Sequence, residues 1–338
     1  MKTKFDSYSL NGIPEGCKRC VAGQKMVLFI SGKCARNCVY CPLSKLRKNS
    51  EKTWANEREC RSVKDAIQEV KGSNSNSCSI TGGDPLLNLK KTLLYARALK
   101  NNFKDFHIHI YLSTKLVDEK NLKKLAEFVD EVRFHPEFLS SKEKFDEDVL
   151  KVKMAKKFWK RGNIGLEMPM IPGREVEMLE FILKVRESID FVNLNELEIG
   201  DTNFDYIVNE FSLDKEGYTV RWSIKKGLWL MKEIEKANGK LKVHLCTAKT
   251  KNWHQYKNRL KNHTIMEFGK RTSDGTVIYF YTKSDVSDKI KKEDYFHDLQ
   301  KKRYILNPKI VNQINCEVFR SEEYPTLDGD EVELEKIK

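Results

Sequence analysis

At 338 residues, with 40% hydrophobic and 33% charged side chains, the chain can bury a full core without disulfide staples and is too apolar to be disordered. Its formal net charge of +13 favours polyanionic partners, RNA or nucleotide-bearing substrates among them, or else reflects a lysine-rich solvated surface. The stretch from Met1 to Asn11 is polar, and the longest early apolar run, Met26 to Ile30, is far too short to cross a bilayer; a cytoplasmic protein with no membrane partner is expected.

In chain order, Cys17-Lys-Arg-Cys20 precedes a first strand over residues 26–31, and a loop carrying Cys34, Cys38 and Cys41 follows it. Val63, Ala66, Ile67 and Val70 recur at helical offsets, with Gly72 able to close the helix. Strands are predicted at 77–81 and 107–112, then a helix capped by Asp118 whose buried face is Leu122, Leu125, Ala126 and Val129. Strands at 131–134 and 164–170 lead to a helix bearing Met178, Phe181, Ile182 and Val185. A strand at 191–197, a short one near 218–222, a helix through Leu228, Leu230, Met231 and Ile234, and a strand at 243–246 complete the alternation. This order of elements predicts an α/β fold with a mostly parallel sheet, a partial or closed (β/α) barrel over residues 26–247. In such barrels chemistry sits at the C-terminal ends of the strands. Residues 1–25 read as an N-terminal, cysteine-bearing extension.

The pattern changes near Ala248. Two alternating runs between Thr264 and Lys283 flank Ser273-Asp274-Gly275, a hairpin signal. A charged helical stretch follows, then a segment at 307–314 and a strand at 317–320. Residues 248–338 thus read as a small α+β appendage for binding substrate or partner.

Five of the nine cysteines lie between Cys17 and Cys41, and in a reducing compartment such clustering favours metal binding. Cys34-Ala-Arg-Asn-Cys38-Val-Tyr40-Cys41 offers three thiolates from one loop, enough to hold three irons of a cubane and leave the fourth open. Zinc more often takes paired units giving four ligands. The C-x3-C-x-aromatic-C string after a first strand resembles the signature of the radical S-adenosylmethionine (SAM) superfamily. That resemblance implies a 4Fe–4S cluster on Cys34, Cys38 and Cys41, with SAM on the open iron. It also implies reductive cleavage of SAM to methionine and a 5′-deoxyadenosyl radical, and hydrogen abstraction from a substrate. Tyr40 would lie beside the adenine, an electron donor such as ferredoxin or flavodoxin would be needed, and the enzyme would be oxygen-sensitive.

A second likeness stands at the end of the next strand, where Gly82-Gly83-Asp84-Pro85 resembles the family's Gly-Gly-Glu-Pro motif for the SAM amino group, with Asp in place of Glu. Ser113 ends a strand where the family often has a hydroxyl near the SAM ribose or carboxylate. Glu167-Met-Pro-Met-Ile171-Pro172-Gly173 is similar to the strand and Pro-Gly turn of pyruvate formate-lyase activating enzymes. As a whole, the chain is similar to an archaeal group of radical SAM proteins related to those enzymes. The resemblance implies the chemistry and leaves the catalytic acid or base unassigned.

Cys17 and Cys20 need a partner to bind metal, and Cys246, His244 or Cys60 could supply one. The expectation is a second Fe–S cluster or a zinc site on Cys17, Cys20 and Cys246, against the alternative of reduced, buried thiols. Cys78 and Cys316 read as small hydrophobes. His135 ends a strand as a base, a donor or a cap. Alternation puts Asn193 and Asn195 on one face, Glu196 and Glu198 on the other. Between Ala248 and His263, Lys249, Lys251, Lys257, Arg259 and Lys261 are interleaved with Trp253, His254 and Tyr256, a composition that suits phosphate and base contacts or a solvated helix face. The leading substrate expectation is RNA, tRNA or another nucleotide-bearing molecule. The alternatives are a protein or peptide, modified as by an activase, and a non-catalytic zinc-binding RNA module.

Overall fold

The computed structural model describes residues 1–159, 162–237 and 239–338. The first sheet is ten-stranded. In chain order it comprises β1 (Tyr8–Leu10), β2 (Lys25–Phe29), β3 (Thr53–Ala55), β4 (Arg58–Cys60) and β5 (Ser77–Thr81). β6 (His107–Ser113), β7 (Glu131–His135), β8 (Ile164–Met170), β9 (Phe191–Glu196) and β10 (Lys242–Cys246) complete it. Its spatial order is β1-β10-β9-β8-β7-β6-β5-β2-β3-β4, and every neighbouring pair from β2 round to β10 is parallel. The barrel is therefore partial, with antiparallel strands finishing both ends.

Strand alternation explains the layers. Met26, Leu28, Ile80, Ile108, Ile110, Leu112, Val132, Phe134, Leu166, Met168, Val192, Leu194, Val243 and Leu245 are fully buried in one core. The intervening residues form a polar inner face: His107, His109, Glu131, Arg133, Glu167, Asn193 and His244. The outer layer runs through α2 (Val63–Gly72), α3 (Leu89–Asn102), α4 (Glu119–Ala126), α5 (Phe145–Met154), α6 (Glu175–Val185) and, past α7 (Phe204–Glu210), α8 (Ser223–Ala237). Asp118 caps α4 as expected, its carboxylate accepting from Asn121 N at 2.7 Å. Gly72 is the last residue of α2, and Ser73 is its C-cap.

The N-terminal residues are built into this unit. β1 pairs with β10, and α1 (Glu15–Val21) lies across the inner face. Gly16 N donates to Glu131 at 3.1 Å, and a Cβ on Gly16 would strike His109 and Arg133. A further segment bridges the two ends of the open sheet: a π-helical stretch (Thr250–Tyr256) running into α9 (Lys257–Asn262). At one end Thr250 donates to Phe5 O and His254 contacts Asp6. At the other, Arg259 pairs with Glu57 in the β3–β4 turn, and Asn258 and Asn262 bond the carbonyls of Val21 and Ala22.

The second sheet contains β11 (Lys270–Arg271), β12 (Val277–Thr282), β13 (Tyr295–Asp298), β14 (Arg303–Leu306), β15 (Phe319–Glu323) and β16 (Glu331–Lys336). Its order is β13-β14-β12-β15-β16, with β11 on β12. The Asp-Gly hairpin forms as expected between β11 and β12.

Two expectations fail. The charged stretch after Lys283 is the β13–β14 hairpin rather than a helix, because Arg303 is buried between Asp298 and Glu323 instead of solvated. The 218–222 segment makes only isolated bridges, Thr219 to Glu198 and Val220 to Leu213, and the chain turns directly into α8. β1, β3 and β4 give no signal in the sequence; each is three residues long, with β1 and β4 at the sheet's edges and β3 between β2 and β4, too short for periodicity to register. Among the described residues, no helix is long and apolar enough to cross a membrane.

Candidate functional site

A cavity of about 550 Å³ opens at the C-terminal ends of the parallel strands. Cys34, Cys38, Cys41 and Tyr40 line one wall; Gly82, Gly83, Ser113, Glu167 and Asn195 line others. The cysteine loop leaves β2 through Gly32, where a Cβ would overlap the Arg47 carbonyl. A second loop clamps it from the far side of the sheet. Thr202 donates to the carbonyls of Cys41 and Leu43, both at 2.8 Å, and Asn203 bonds Tyr40 O at 3.1 Å. Gly200 lies so close to Pro42 that a Cβ would sit 2.7 Å from its carbonyl.

Within the loop, Arg36 and Tyr40 form a buried network. Arg36 donates to His135 O at 3.0 Å, to Ser140 Oγ at 3.2 Å and to the Tyr40 hydroxyl at 3.3 Å. His135 Nδ1 faces the Glu167 carbonyl at 3.0 Å, so that nitrogen carries the proton, and Nε2 accepts from Tyr40 at 3.0 Å. Burial, reinforced by the Arg36 charge, pushes His135 down to about 3 and keeps it neutral. Tyr40 lines the cavity, but its ring is buried and its hydroxyl points to His135.

The glycine turn is a cradle. Gly82 has φ +149 and a Cβ there would lie 2.5 Å from Ser31 O; one on Gly83 would overlap Lys33 O. Only glycine lets the two strand ends approach this closely. Gly82 and Gly83 line the cavity, whereas Asp84 and Pro85 lie behind it. Asp84 Oδ1 caps the next turn through Leu86 N at 3.0 Å, and its buried Oδ2 has no partner. Burial raises this carboxyl to about 6. Ser113 lines the cavity and accepts from Lys115 N.

Glu167 is fixed on β8 from three sides. Asn193 and Asn195 donate to Oε1 at 2.7 and 2.6 Å, and Arg133 to Oε2 at 2.9 Å. Alternation along β9 thus turns Asn193 and Asn195 towards Glu167. Glu196 instead accepts from Ala248 N, and Glu198 pairs with Lys251 at 2.7 Å.

Among the described residues, no three Cys, His, Asp or Glu side chains already stand at metal-binding distances. The two cysteine groups nevertheless differ in how they could receive a metal. Cys34, Cys38 and Cys41 open onto one cavity, and their soft donor set suits iron held by thiolate. Cys17 instead has the Arg133 guanidinium 3.3 Å from its sulfur and Asn193 at 3.5 Å. Cys246 accepts from Gln255 at 3.4 Å, and Cys20 opens onto a different cavity. Burial pushes the Cys17 thiol up to about 12. Arg133 already donates to the Cys17 sulfur, while Cys246 lies near enough to Cys17 and Cys20 for their charges to act on it. Cys78 packs in the core, and Cys316 packs against the second sheet's core.

The basic run after Ala248 is largely neutralised within the fold. Lys249 reaches Asp6, Lys251 Glu198, Lys257 Asp274 and Arg259 Glu57. Trp253 is exposed with Lys257 over its ring. Spacing in the sequence offered no signal for Arg36, Ser140, Thr202, Asn203 or the Arg133–Glu167 pair, whose partners lie far along the chain.

Two comparisons with known proteins bear on this site. The sequence profile of the radical SAM superfamily matches residues 28–185, a span running from β2 to the end of α6. Over 98% of its length the chain is 34% identical to a protein of Methanocaldococcus jannaschii, of which it covers 94%. That protein carries the provisional name of glycyl-radical enzyme activating enzyme.

Proposed function

The chain belongs to the radical SAM superfamily and is an enzyme of that class, and from this premise we propose that it is an activating enzyme that generates a radical on a glycine of a partner protein. The observation that carries the reading is the convergence of Cys34, Cys38 and Cys41 with the Gly82–Gly83 cradle on one cavity, in a chain similar along its length to a protein provisionally named as an activating enzyme.

When bound, a 4Fe–4S cluster would supply the single electron for the reductive cleavage of SAM. The chain's own residues do the positioning. Cys34, Cys38 and Cys41 would hold the cluster as thiolates, giving up their protons to the metal. Gly82 and Gly83 would offer backbone polar groups to the amino-acid end of SAM. Glu167, held by Arg133, Asn193 and Asn195, offers an acceptor to donor groups on SAM or substrate. Tyr40, locked to His135, stiffens the wall behind the cluster loop. Ser113 presents its hydroxyl to the same cavity.

A protein substrate is favoured over RNA because four of the five basic residues in the Ala248–His263 run are engaged by acids of the same chain. The test is anaerobic reconstitution with iron and sulfide counting, expecting about four irons per chain. Dithionite and SAM should then yield 5′-deoxyadenosine, and Cys38→Ala should abolish both the iron and the product. Mixing with a glycyl-radical protein encoded in the same organism should give a carbon-centred radical signal in electron paramagnetic resonance. If α-deuterated glycine in that protein leaves 5′-deoxyadenosine unlabelled, the glycine assignment is wrong. Salt-dependent tRNA binding would instead return the substrate to nucleic acid.

A further inference from the structure

A second cavity, of about 260 Å³, opens through the side of the barrel where the π-helical segment bridges the sheet ends. Four cations line it: Lys25, Arg47, Lys251 and Arg259. One carboxylate, Glu57, lines it with them, and both its oxygens are taken by the Arg259 fork, at 2.5 and 3.1 Å. Lys251 is held by Glu198 from the main-cavity side.

Among the described residues, neither Lys25 nor Arg47 has a carboxylate within 4.0 Å, although each is at least half-buried. Arg47 lies over the rings of Phe29 and Trp54 at 5.3 and 5.2 Å and donates to Asn56 O at 3.2 Å. Burial works against its charge; Glu57 favours it and the neighbouring Arg259 opposes it. The Lys25 ammonium donates to the Cys20 thiol, and Cys20 and Tyr111 hold its pKa above the ordinary lysine value despite burial. Gathering like charges in a cleft of reduced dielectric is unfavourable unless an anion completes the arrangement. A planar arginine fork beside a lysine point charge is the donor set that suits a tetrahedral oxyanion.

We propose that this side cavity is a binding site for a phosphoryl oxyanion, held by Arg47 and Lys25. The volume equals about nine waters at roughly 30 Å³ each, room for a phosphate and a few further atoms. Lys251 lines both cavities, so a ligand seated here lies one side chain away from the main cavity and competes with Glu198 for that ammonium. The ligand is therefore either free phosphate or the phosphorylated end of a larger molecule. The site is independent of the substrate reading above, and its test involves no turnover.

The test uses reconstituted full-length protein at matched ionic strength, titrated calorimetrically with inorganic phosphate, pyrophosphate and glycerol 3-phosphate, with sodium chloride as the reference. Saturable heat is expected for at least one, with Arg47→Gln and Lys25→Gln each weakening binding by about tenfold. Cys20 lines the same cavity, so phosphate or pyrophosphate should slow its alkylation in the wild type without slowing that of Cys316, read by mass spectrometry. This second measurement needs no variant to fold. Tightest binding of inorganic phosphate identifies the free ion; tighter binding of either ester or anhydride identifies a phosphorylated ligand. No saturable heat with any of the three, unchanged affinity in Arg47→Gln, or an unprotected Cys20 would each overturn the site.

Discussion

At the scale of single residues, the Tyr40–His135 hydrogen bond is the most exposed to test. Tyr40→Phe removes the donor to a buried, neutral imidazole and leaves Nε2 bare, at a cost of about 1–3 kcal/mol. Thermal unfolding of the apoprotein should show that loss, while His135→Gln, which restores an acceptor, should lose less. Glu167→Gln should weaken SAM binding in equilibrium dialysis while leaving the iron count intact, because Arg133 would then face a neutral amide. The cysteine triad was legible because its spacing alone defines a donor set. Arg36 was not, since its partners His135 and Ser140 lie 99 and 104 positions away. Glu167 was legible only through a likeness to a turn. Its real anchors, Arg133 and Asn193, come together only through the parallel register of β7, β8 and β9.

At the scale of elements, two close approaches make firm predictions. Gly83→Ala would push a methyl group into the Lys33 carbonyl and pull the β5 turn away from the cysteine loop. Loss of SAM binding with the cluster still loaded is the expected result, seen by titrating SAM against the cluster's electron paramagnetic resonance signal. Gly16→Ala would drive α1 off the inner face, where His109 and Arg133 leave no room, costing about 1–3 kcal/mol by thermal unfolding. The strand–helix alternation from β2 to β10 could be read because buried β-branched and aliphatic runs are separated by amphipathic helices. α1 could not, because its buried side is Gly16, Cys17 and Val21, too small a set to form an apolar stripe. The β13–β14 hairpin was misread for the opposite reason: charge in the sequence does not reveal that Arg303 will be enclosed by Asp298 and Glu323.

For the whole molecule, buried histidines set the response to acid. Burial lowers His244 to about 3 and His263 to about 4. Both folded values lie below the ordinary 6.5, so the unfolded chain takes up protons that the folded chain refuses. Stability is full above pH about 6.5 and falls as pH drops, towards 4 for His263 and towards 3 for His244. At pH 5 each histidine accounts for a loss of about 2 kcal/mol. Denaturant melts from pH 7 to 5 should show that decline, and His263→Gln should make it shallower. His263 stands where the bridging segment meets α2, near Glu69, so its protonation acts on the closure of the barrel's side.

The seating of α1 and β1 also governs the order of events during synthesis. Tyr8–Leu10 must wait for Lys242–Cys246, and Cys17 for Asn193, before either finds its partner. At ribosomal rates of roughly 5–20 residues per second, that interval is on the order of ten seconds or more. Until β7 and β9 have emerged, the earliest-made helix lacks most of the inner face it docks against, and the polar groups it will cover stay wet. Nascent chains stalled before and after β10 should therefore differ sharply in how quickly a protease cuts near Lys18 and Arg19.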